Sequence, residues 1–426
     1  MVIGKVRIQA KEVGHGSTRA ARALSSLLHG DSWSGHLDYD HEISGVNVDK
    51  FYRWAHQLIS THEMATWLYN QPLFFELARR IPNSHGFTKW AESFAEINDP
   101  VILCHESLAH ALSRIESKQT RFLYTLNIVL KPGERDVRGL DGIIVRSEHS
   151  RAELIKSRFP DEKIHVGTVV DPDIVSNRDE DFQRRAARLE LVQNIAKMSD
   201  LKWLTSDSLG KDYKGMFTIA LITSGAGHYP YQIREVIQSF REPLARELVN
   251  LVLIGGYDHP KSPMRVAEKE ALRLGLKPEF ASKYSQNING FQIVYTPNTR
   301  ELVSSSVQLI RRADVVLLTS ATDILGTTEA AACPTFVGNY RGLHERADGL
   351  NAVRSCVANS AIYWDRDGKG WTDTRERIFN EARRRFQGQI TLYRRANALY
   401  DSYSKMHGAS PAESNAGIKS FIENRI

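Results

Sequence analysis

Residues 313–337 read ADVVLLTSATDILGTTEAAACPTFV, and this stretch contains a complete strand–helix–strand pattern. The apolar run VVLL ends in hydroxyl side chains, a helical segment follows, and Cys333-Pro334 leads into a second apolar run. Buried strands joined by helices are typical of parallel sheets that carry helices on both faces. The stretch therefore predicts a doubly wound α/β unit.

The same alternation occurs in both halves of the chain. In the first half, apolar runs lie at 2–10, 100–105, 121–130, 142–147 and 163–170. In the second half, they lie at 216–227, 248–256, 291–296 and 313–321. We predict an α/β fold of two Rossmann-like doubly wound domains, with ligands at the carboxyl ends of the strands in an inter-domain cleft.

The boundary between the two domains is expected in a charged segment. Residues 176–215 are partly helical and lack large apolar runs, which favours a link between domains. We therefore predict an N-terminal domain over 1–205 and a C-terminal domain over 206–400. The remaining residues, 401–426, are expected to form a helix that crosses back to the N-terminal domain.

The composition excludes several classes of protein. The chain has 426 residues, of which 42% are hydrophobic and 25% charged, close to a globular average and unlike a disordered or coiled-coil chain. A net charge of +6 suits an anionic ligand but does not indicate a nucleic-acid partner. The three cysteines lack a CxxC spacing, which argues against a disulfide scaffold or a zinc module and fits a reducing cytosol.

Location and membrane contact are expectations from the same sequence. The first residues lack the apolar run of a signal peptide, and no stretch approaches the roughly 18 apolar residues of a membrane span. We expect a cytoplasmic protein. Residues 30–97 are rich in Trp and Tyr interleaved with basic residues, a pattern that fits core packing, stacked sugars or a membrane interface. Peripheral membrane contact therefore stays open.

A glycine-containing loop follows the first predicted strand. Gly14-His15-Gly16-Ser17 lies between this strand and a helix, so the backbone can turn tightly and approach a ligand. The ordinary pKa of histidine lies near neutrality, so His15 is a candidate general base. A tight turn with an exposed histidine explains the same residues equally well.

Two polar clusters follow strands of the second half. The loop Ser224–Gly227 offers backbone N–H groups to a diphosphate, although it also fits a plain turn and is not a GxGxxG motif. After the strand at 313–318, hydroxyl side chains suit phosphates, and Glu329 can accept both hydroxyls of a ribose. The alternative for Thr327-Thr328-Glu329 is a helix N-cap with an acid in the first turn.

Taken in order, these motifs resemble the two-domain GT-B glycosyltransferases, particularly family 28, which includes monogalactosyldiacylglycerol synthases and the peptidoglycan lipid-linked N-acetylglucosaminyltransferase. The matching segments are GHGSTRAARAL, VILCH, GLDGIIVRSEHSRAELIKSRFPDEKIHVGTVVDP, LITSGAG, LVLIGG, ADVVLLTSATDILGTTEAAACPTFV and HERADGLNA. The match covers most of the chain and is poorest across 30–97.

The resemblance implies transfer of a sugar from a nucleotide donor, expected to be UDP-linked, to an acceptor hydroxyl on a lipid, glycan or small metabolite. It implies donor-binding roles for Gly225, Ala226, Gly227, Ser320, Thr322, Thr328, Glu329, His344, Glu345 and Asn351. On the acceptor side it implies Gly14, Gly16, Ser17 and His105, with His15 as the catalytic base. The expected chemistry is an inverting displacement that requires no metal and no cofactor besides the donor substrate.

Other functions remain as alternatives. A metal-dependent GT-A transferase would need an Asp-x-Asp motif after a strand, and the four matches in this chain are close to chance. A UDP-N-acetylglucosamine 2-epimerase-like enzyme would share the donor clusters but needs several acids in the active site. A non-catalytic nucleotide-sugar-binding protein would keep the same fold. Donor hydrolysis distinguishes this last alternative, because a transferase usually loses some donor to water.

Overall fold

The structure is a computed structural model in which part of the chain is described. The described residues are 4–11, 16–28, 33–40, 91–96, 98–127, 130, 132–135, 137–198, 217–223, 230–245, 249–255, 263–284, 290–295, 299–318, 324–337, 359–360 and 392–426.

The strands form two separate sheets. Those of the first sheet are β1 (Gly4–Lys11), β2 (Trp33–Asp40), β3 (Val101–Leu103), β4 (Arg121–Tyr124), β5 (Gly142–Val145) and β6 (Ile164–Val166). Those of the second are β7 (Phe217–Ile222), β8 (Val249–Gly255), β9 (Glu279–Ala281), β10 (Phe291–Tyr295), β11 (Val315–Leu318), β12 (Thr335–Val337) and β13 (Asn359–Ser360).

The helices lie between the strands in sequence, and two more follow the last strand. They are α1 (Gly16–Leu28), α2 (Glu106–Leu112), α3 (Pro132–Arg135), α4 (Glu148–Lys156), α5 (Pro172–Met198), α6 (Pro230–Ser239), α7 (Arg241–Ala245), α8 (Pro263–Arg273), α9 (Thr299–Arg312), α10 (Ile324–Ala330), α11 (Leu392–His407) and α12 (Pro411–Glu423).

Every strand pairing in the two sheets is parallel. The first sheet has the order β2-β1-β3-β4-β5-β6 and the second the order β13-β12-β11-β7-β8-β10-β9. All residues of β8 and β11 are buried, as expected for strands covered on both faces. The prediction of two Rossmann-like parallel α/β units is therefore confirmed.

Strand β2 is absent from the sequence prediction. It pairs with β1 along its whole length and forms the edge of the first sheet. Its sequence, WSGHLDYD, contains no apolar run of the kind that marks the other strands. Trp33–Asp40 is thus the described strand of the aromatic segment 30–97, whose residues 41–90 lie outside the described residues.

Helix α5 occupies much of the predicted link at 176–215. It runs for 27 residues, and its Phe182, Ala186 and Leu189 belong to a core cluster with strands of the second sheet. The charged composition of this segment predicted a link between domains. In the structure, several of its charged side chains bind elements of the second sheet. The domain boundary at residue 205 stays a prediction.

The last two helices pack against different sheets. Leu392, Ala396 and Leu399 of α11 join a core of the second sheet, whereas Ile418 and Phe421 of α12 join a core of the first. The chain therefore passes from one sheet to the other between α11 and α12.

The connection between α11 and α12 is locally well defined. Gly408 has a φ of +69, a left-handed conformation that glycine adopts without strain. Ser410 then caps α12 in a capping box with Glu413. On α12, Ser414 Oγ donates to the Thr168 carbonyl at 3.0 Å and accepts from the Thr168 N–H at 3.1 Å, so the helix is fixed beside β6.

No helix among the described residues is long and apolar enough to span a membrane.

Candidate functional site

Each of the two sheets has one strand at which the order of the following strands changes direction. In the first sheet, β2 and β3 lie on opposite sides of β1, and in the second, β8 and β11 lie on opposite sides of β7. Ligands of open parallel sheets bind beyond the carboxyl ends of the strands at such positions. In the chain, the first predicted glycine loop follows β1, and the segments with Gly225 and Ser320 follow the adjacent strands β7 and β11.

Most of the predicted site residues lie outside the described part of the chain. These residues are Gly14, His15, Gly225, Ala226, Gly227, Ser320, Thr322, His344, Glu345 and Asn351. Their roles stay predictions. The described members of the predicted site are Gly16, Ser17, His105, Thr328 and Glu329.

The first helix starts inside the predicted glycine loop, two residues earlier than the sequence predicts. Gly16 is the first residue of α1, and Ser17 in the next position is only 1% exposed. Ala21 and Leu24 of the same helix pack in the core of the first sheet, so the start of α1 is held firmly against β1. The acceptor-side role of both residues stays a prediction.

His105 caps the helix that follows β3. Its Nδ1 accepts the Ser107 N–H at 3.2 Å and lies 2.8 Å from Ser107 Oγ. Nδ1 also lies 3.5 Å from Glu106 Oε2, but an atom that accepts a backbone N–H cannot at the same time donate to a carboxylate. We therefore assign Nδ1 as an acceptor, and the ring proton of neutral His105 to Nε2.

Helix α10 carries Thr328 and Glu329 directly beyond the loop that follows β11. All of its residues are buried. The Thr328 hydroxyl donates to the Leu325 carbonyl at 3.0 Å within the helix, and Thr328 is fully buried. Its hydroxyl is thus already used inside α10, whereas Glu329 has a free acceptor.

The Glu329 carboxylate meets the end of α11. Its Oε2 lies 3.0 Å from His407 Nε2, and the two side chains are 5% and 19% exposed. The two atoms are close but lack good hydrogen-bond geometry, because His407 Nε2 has no aligned partner among the described residues. The buried Glu329 Oε1 likewise has no partner among them. Such an atom costs free energy unless a ligand or water binds it.

Tyr403 lies one turn before His407 and completes this polar cluster. It is fully buried, and its hydroxyl has no hydrogen-bond partner in the described part of the chain. Burial raises the pKa of Tyr403, and the nearby Glu329 carboxylate raises it further, while Arg146 and Arg178 act in the opposite direction. Tyr403 therefore stays protonated at neutral pH and can donate a hydrogen bond.

An arginine that follows a strand of the first sheet lies against helix α10. Arg146 follows β5 and is 5% exposed, and its Nη1 donates to the Leu126 carbonyl at 2.8 Å. Arg146 Nη2 lies against the backbone of Gly326 of α10, where a Cβ would displace the guanidinium. Arg146 has no carboxylate within ion-pair distance among the described residues, so it brings a positive charge next to the predicted donor side.

The described residues contain no group of three or more His, Cys, Asp or Glu side chains arranged to hold a metal ion.

Sequence reasoning missed Arg146, Tyr403 and His407. Arg146 lies within a segment quoted for the family resemblance, but nothing in its local pattern separates it from a surface arginine. The other two belong to an amphipathic helix near the end of the chain, far from any glycine loop. Helical spacing places Tyr403 and His407 on one face, which is the one signal that the sequence offers.

Comparisons with known proteins find similarity at the level of structure only. No model of a protein family matches the sequence, and no curated protein matches it. Among solved structures, the chain is similar to Alr3699/HepE from Anabaena in complex with UDP, with 13% identity, a TM-score of 0.49, and coverage of 99% of this chain and 100% of that one.

Two other solved structures show a comparable similarity. One is α,α-trehalose 6-phosphate synthase from Burkholderia multivorans, with 12% identity, a TM-score of 0.48, and coverage of 99% and 98% of the two chains. The other is UDP-GlcNAc 2-epimerase from Neisseria meningitidis bound to UDP-GlcNAc, with 12% identity, a TM-score of 0.46, and coverage of 94% and 100%. Similarities this low do not assign an activity to the chain.

Proposed function

We propose that this protein is a glycosyltransferase that moves a sugar from a UDP-linked donor to an acceptor hydroxyl. The observation that carries the proposal is the Glu329 carboxylate, which is buried beyond β11 and keeps one oxygen without a partner among the described residues. A ribose offers two adjacent hydroxyl donors to such a carboxylate. Glu329 would therefore hold the ribose, while the loops after β7 and β11 would hold the diphosphate through backbone N–H groups and hydroxyls.

The reaction we propose is a direct displacement with inversion. The acceptor oxygen attacks the anomeric carbon as the bond from that carbon to the diphosphate oxygen breaks, and the electron pair leaves with UDP. The acceptor proton passes to a base of the first domain, for which His15 is the candidate. The leaving group carries negative charge, and Arg146, located beside Gly326, is suited to stabilise it.

The acceptor is proposed to bind on the side of the first sheet. Candidate acceptors are a lipid, a glycan or a small metabolite, because each offers a hydroxyl group. Gly16, Ser17 and His105 lie at the carboxyl ends of β1 and β3 or just beyond them, on the side from which an acceptor would approach the donor. Peripheral membrane contact belongs to the lipid version of this proposal.

Nucleotide binding is the direct test of the proposed function. Thermal unfolding is measured with UDP, GDP, TDP and their sugars, and a ligand at 100 times its Kd stabilises the folded protein by about 2.7 kcal/mol. We expect the shift with UDP and UDP-sugars. Release of UDP from a UDP-sugar, with or without an acceptor, then separates an enzyme from a protein that only binds the nucleotide.

Glu329→Ala is expected to weaken UDP binding by about 1.5–3 kcal/mol, the usual contribution of a hydrogen bond to a charged group. Calorimetric titration with UDP measures this change. The matched control is Glu242→Ala, which removes an exposed carboxylate on α7 and should leave UDP affinity unchanged. Unchanged UDP affinity in a folded Glu329→Ala protein would contradict the assignment of the ribose site.

A further inference from the structure

We propose that His407 is a positioning residue for the Glu329 carboxylate and thereby makes the protein selective for nucleoside diphosphates with intact ribose hydroxyls. This inference rests on the proposed function. It concerns a residue of α11, outside the helix and loops that the sequence motifs assign to the donor.

The two side chains are in close contact at one oxygen of the carboxylate. His407 Nε2 lies 3.0 Å from Glu329 Oε2, a distance that requires a proton on Nε2, since two lone pairs would repel each other. The Tyr403 ring lies 4.5 Å from the His407 ring, centroid to centroid, at an interplanar angle of 37°, which restricts the imidazole. Oε2 of the carboxylate therefore lies against the imidazole, and Oε1 remains to accept a ligand hydroxyl.

No other basic side chain of the described residues takes this role. Arg178, the cation on the neighbouring helix α5, donates to the Ala330 carbonyl at 2.9 Å and to the Tyr400 carbonyl at 2.8 Å. Arg146 donates to the Leu126 carbonyl and lies beyond ion-pair distance of Glu329. Within the described part of the chain, His407 is the one basic group within ion-pair distance of Glu329.

His407 is the last residue of α11. Beyond it, the chain turns at Gly408 and enters α12, which is fixed to the first sheet through Ser414 and Thr168. The chain directly after His407 is thus anchored to the first sheet, and a carboxylate that is already in place needs little reorganisation when a ribose binds.

The experiment compares two ligands on variants of the full-length protein. UDP and 2′,3′-dideoxy-UDP are titrated by calorimetry into wild type, His407→Leu, His407→Gln and Lys405→Ala. Lys405 is an exposed residue of the same helix and serves as the control. For His407→Leu we expect UDP to bind about tenfold or more weakly, while dideoxy-UDP binds as it does to wild type. His407→Gln, whose amide can donate to the carboxylate, should recover most of the loss.

Other roles for His407 would give different results in this experiment. Equal weakening of both ligands by His407→Leu would mean a structural role and would overturn the inference, as would unchanged UDP binding. Where His407→Leu does not fold, His407→Gln and His407→Asn replace it: UDP-selective weakening by the shorter amide supports the inference, and equal affinities overturn it. Absence of UDP binding to the wild type would overturn the proposed function itself, whereas UDP binding that depends on Glu329 and not on His407 would overturn this inference alone.

Discussion

Arg185→Met is expected to destabilise the folded protein by about 3–5 kcal/mol, the cost of removing one partner from a buried charged network. Arg185 is fully buried on α5. Its guanidinium donates to the carbonyls of Ala313 at 2.8 Å, Ala331 at 2.6 Å, Ile310 at 3.0 Å and Arg311 at 3.1 Å.

These carbonyls explain the size of the effect. Those of Ile310, Arg311 and Ala313 lie at the end of α9, where the last turn of a helix has no partners of its own, and Ala331 follows α10. Methionine fills a similar volume but donates no hydrogen bond. The Arg311 carbonyl also accepts from Arg184 Nη2 at 3.1 Å and keeps that donor. The substitution would leave the other three buried carbonyls without their charged donor, and each lost partner costs about 1–3 kcal/mol.

Calorimetric unfolding measures the change in stability. The control is Arg265→Ala, which removes an exposed i,i+3 ion pair with Glu268 on α8 and is expected to change stability by less than about 1 kcal/mol. If Arg185→Met also changes stability by less than about 1 kcal/mol, the prediction is wrong, and water or a rearranged neighbour replaces the guanidinium.

The network around Arg185 also shows why the sequence did not predict the course of α5. Arg184 and Arg188 lie beside it, and Arg188 binds Asp314 at 2.8 Å and the Arg312 carbonyl. In sequence, such a run of charges is typical of a solvated helix face or a link between domains. Only the folded chain brings the end of α9 next to these arginines, so local composition cannot reveal their burial.

Most strands could be predicted because, unlike the burial of these arginines, the burial of a strand is visible in its local composition. Runs such as those of β8 and β11 are buried on both faces, so their apolar character appears directly in the sequence. β2, at the edge of the sheet and without an apolar run, carries no such signal. For the candidate site, Glu329 was found from its place after a strand, whereas His407 meets it through a tertiary contact that no local pattern encodes.

His15→Ala is expected to lower the rate of sugar transfer at least about a hundredfold while UDP still binds, because general-base assistance typically contributes about 10²–10⁴-fold. His15 follows β1 in the chain, and β1 is the strand at which the winding direction of the first sheet changes, the kind of position where ligands of parallel sheets bind. Its neighbour Ser17 is no substitute, since a serine hydroxyl is too weak a base to act unaided and this one is buried.

His105 is the rival base, and its geometry argues against that role. Because Nδ1 accepts the Ser107 N–H, the neutral ring carries its proton on Nε2, and taking a proton from an acceptor would require that capping contact to break. His105→Asn keeps an N-cap acceptor and should retain transfer within a few fold of wild type, whereas His15→Ala should not. The two candidate bases are distinguished by initial rates of UDP release with acceptor present, measured together with UDP affinity. Transfer that survives in His15→Ala but collapses in His105→Asn would move the base from the first glycine loop to the end of β3.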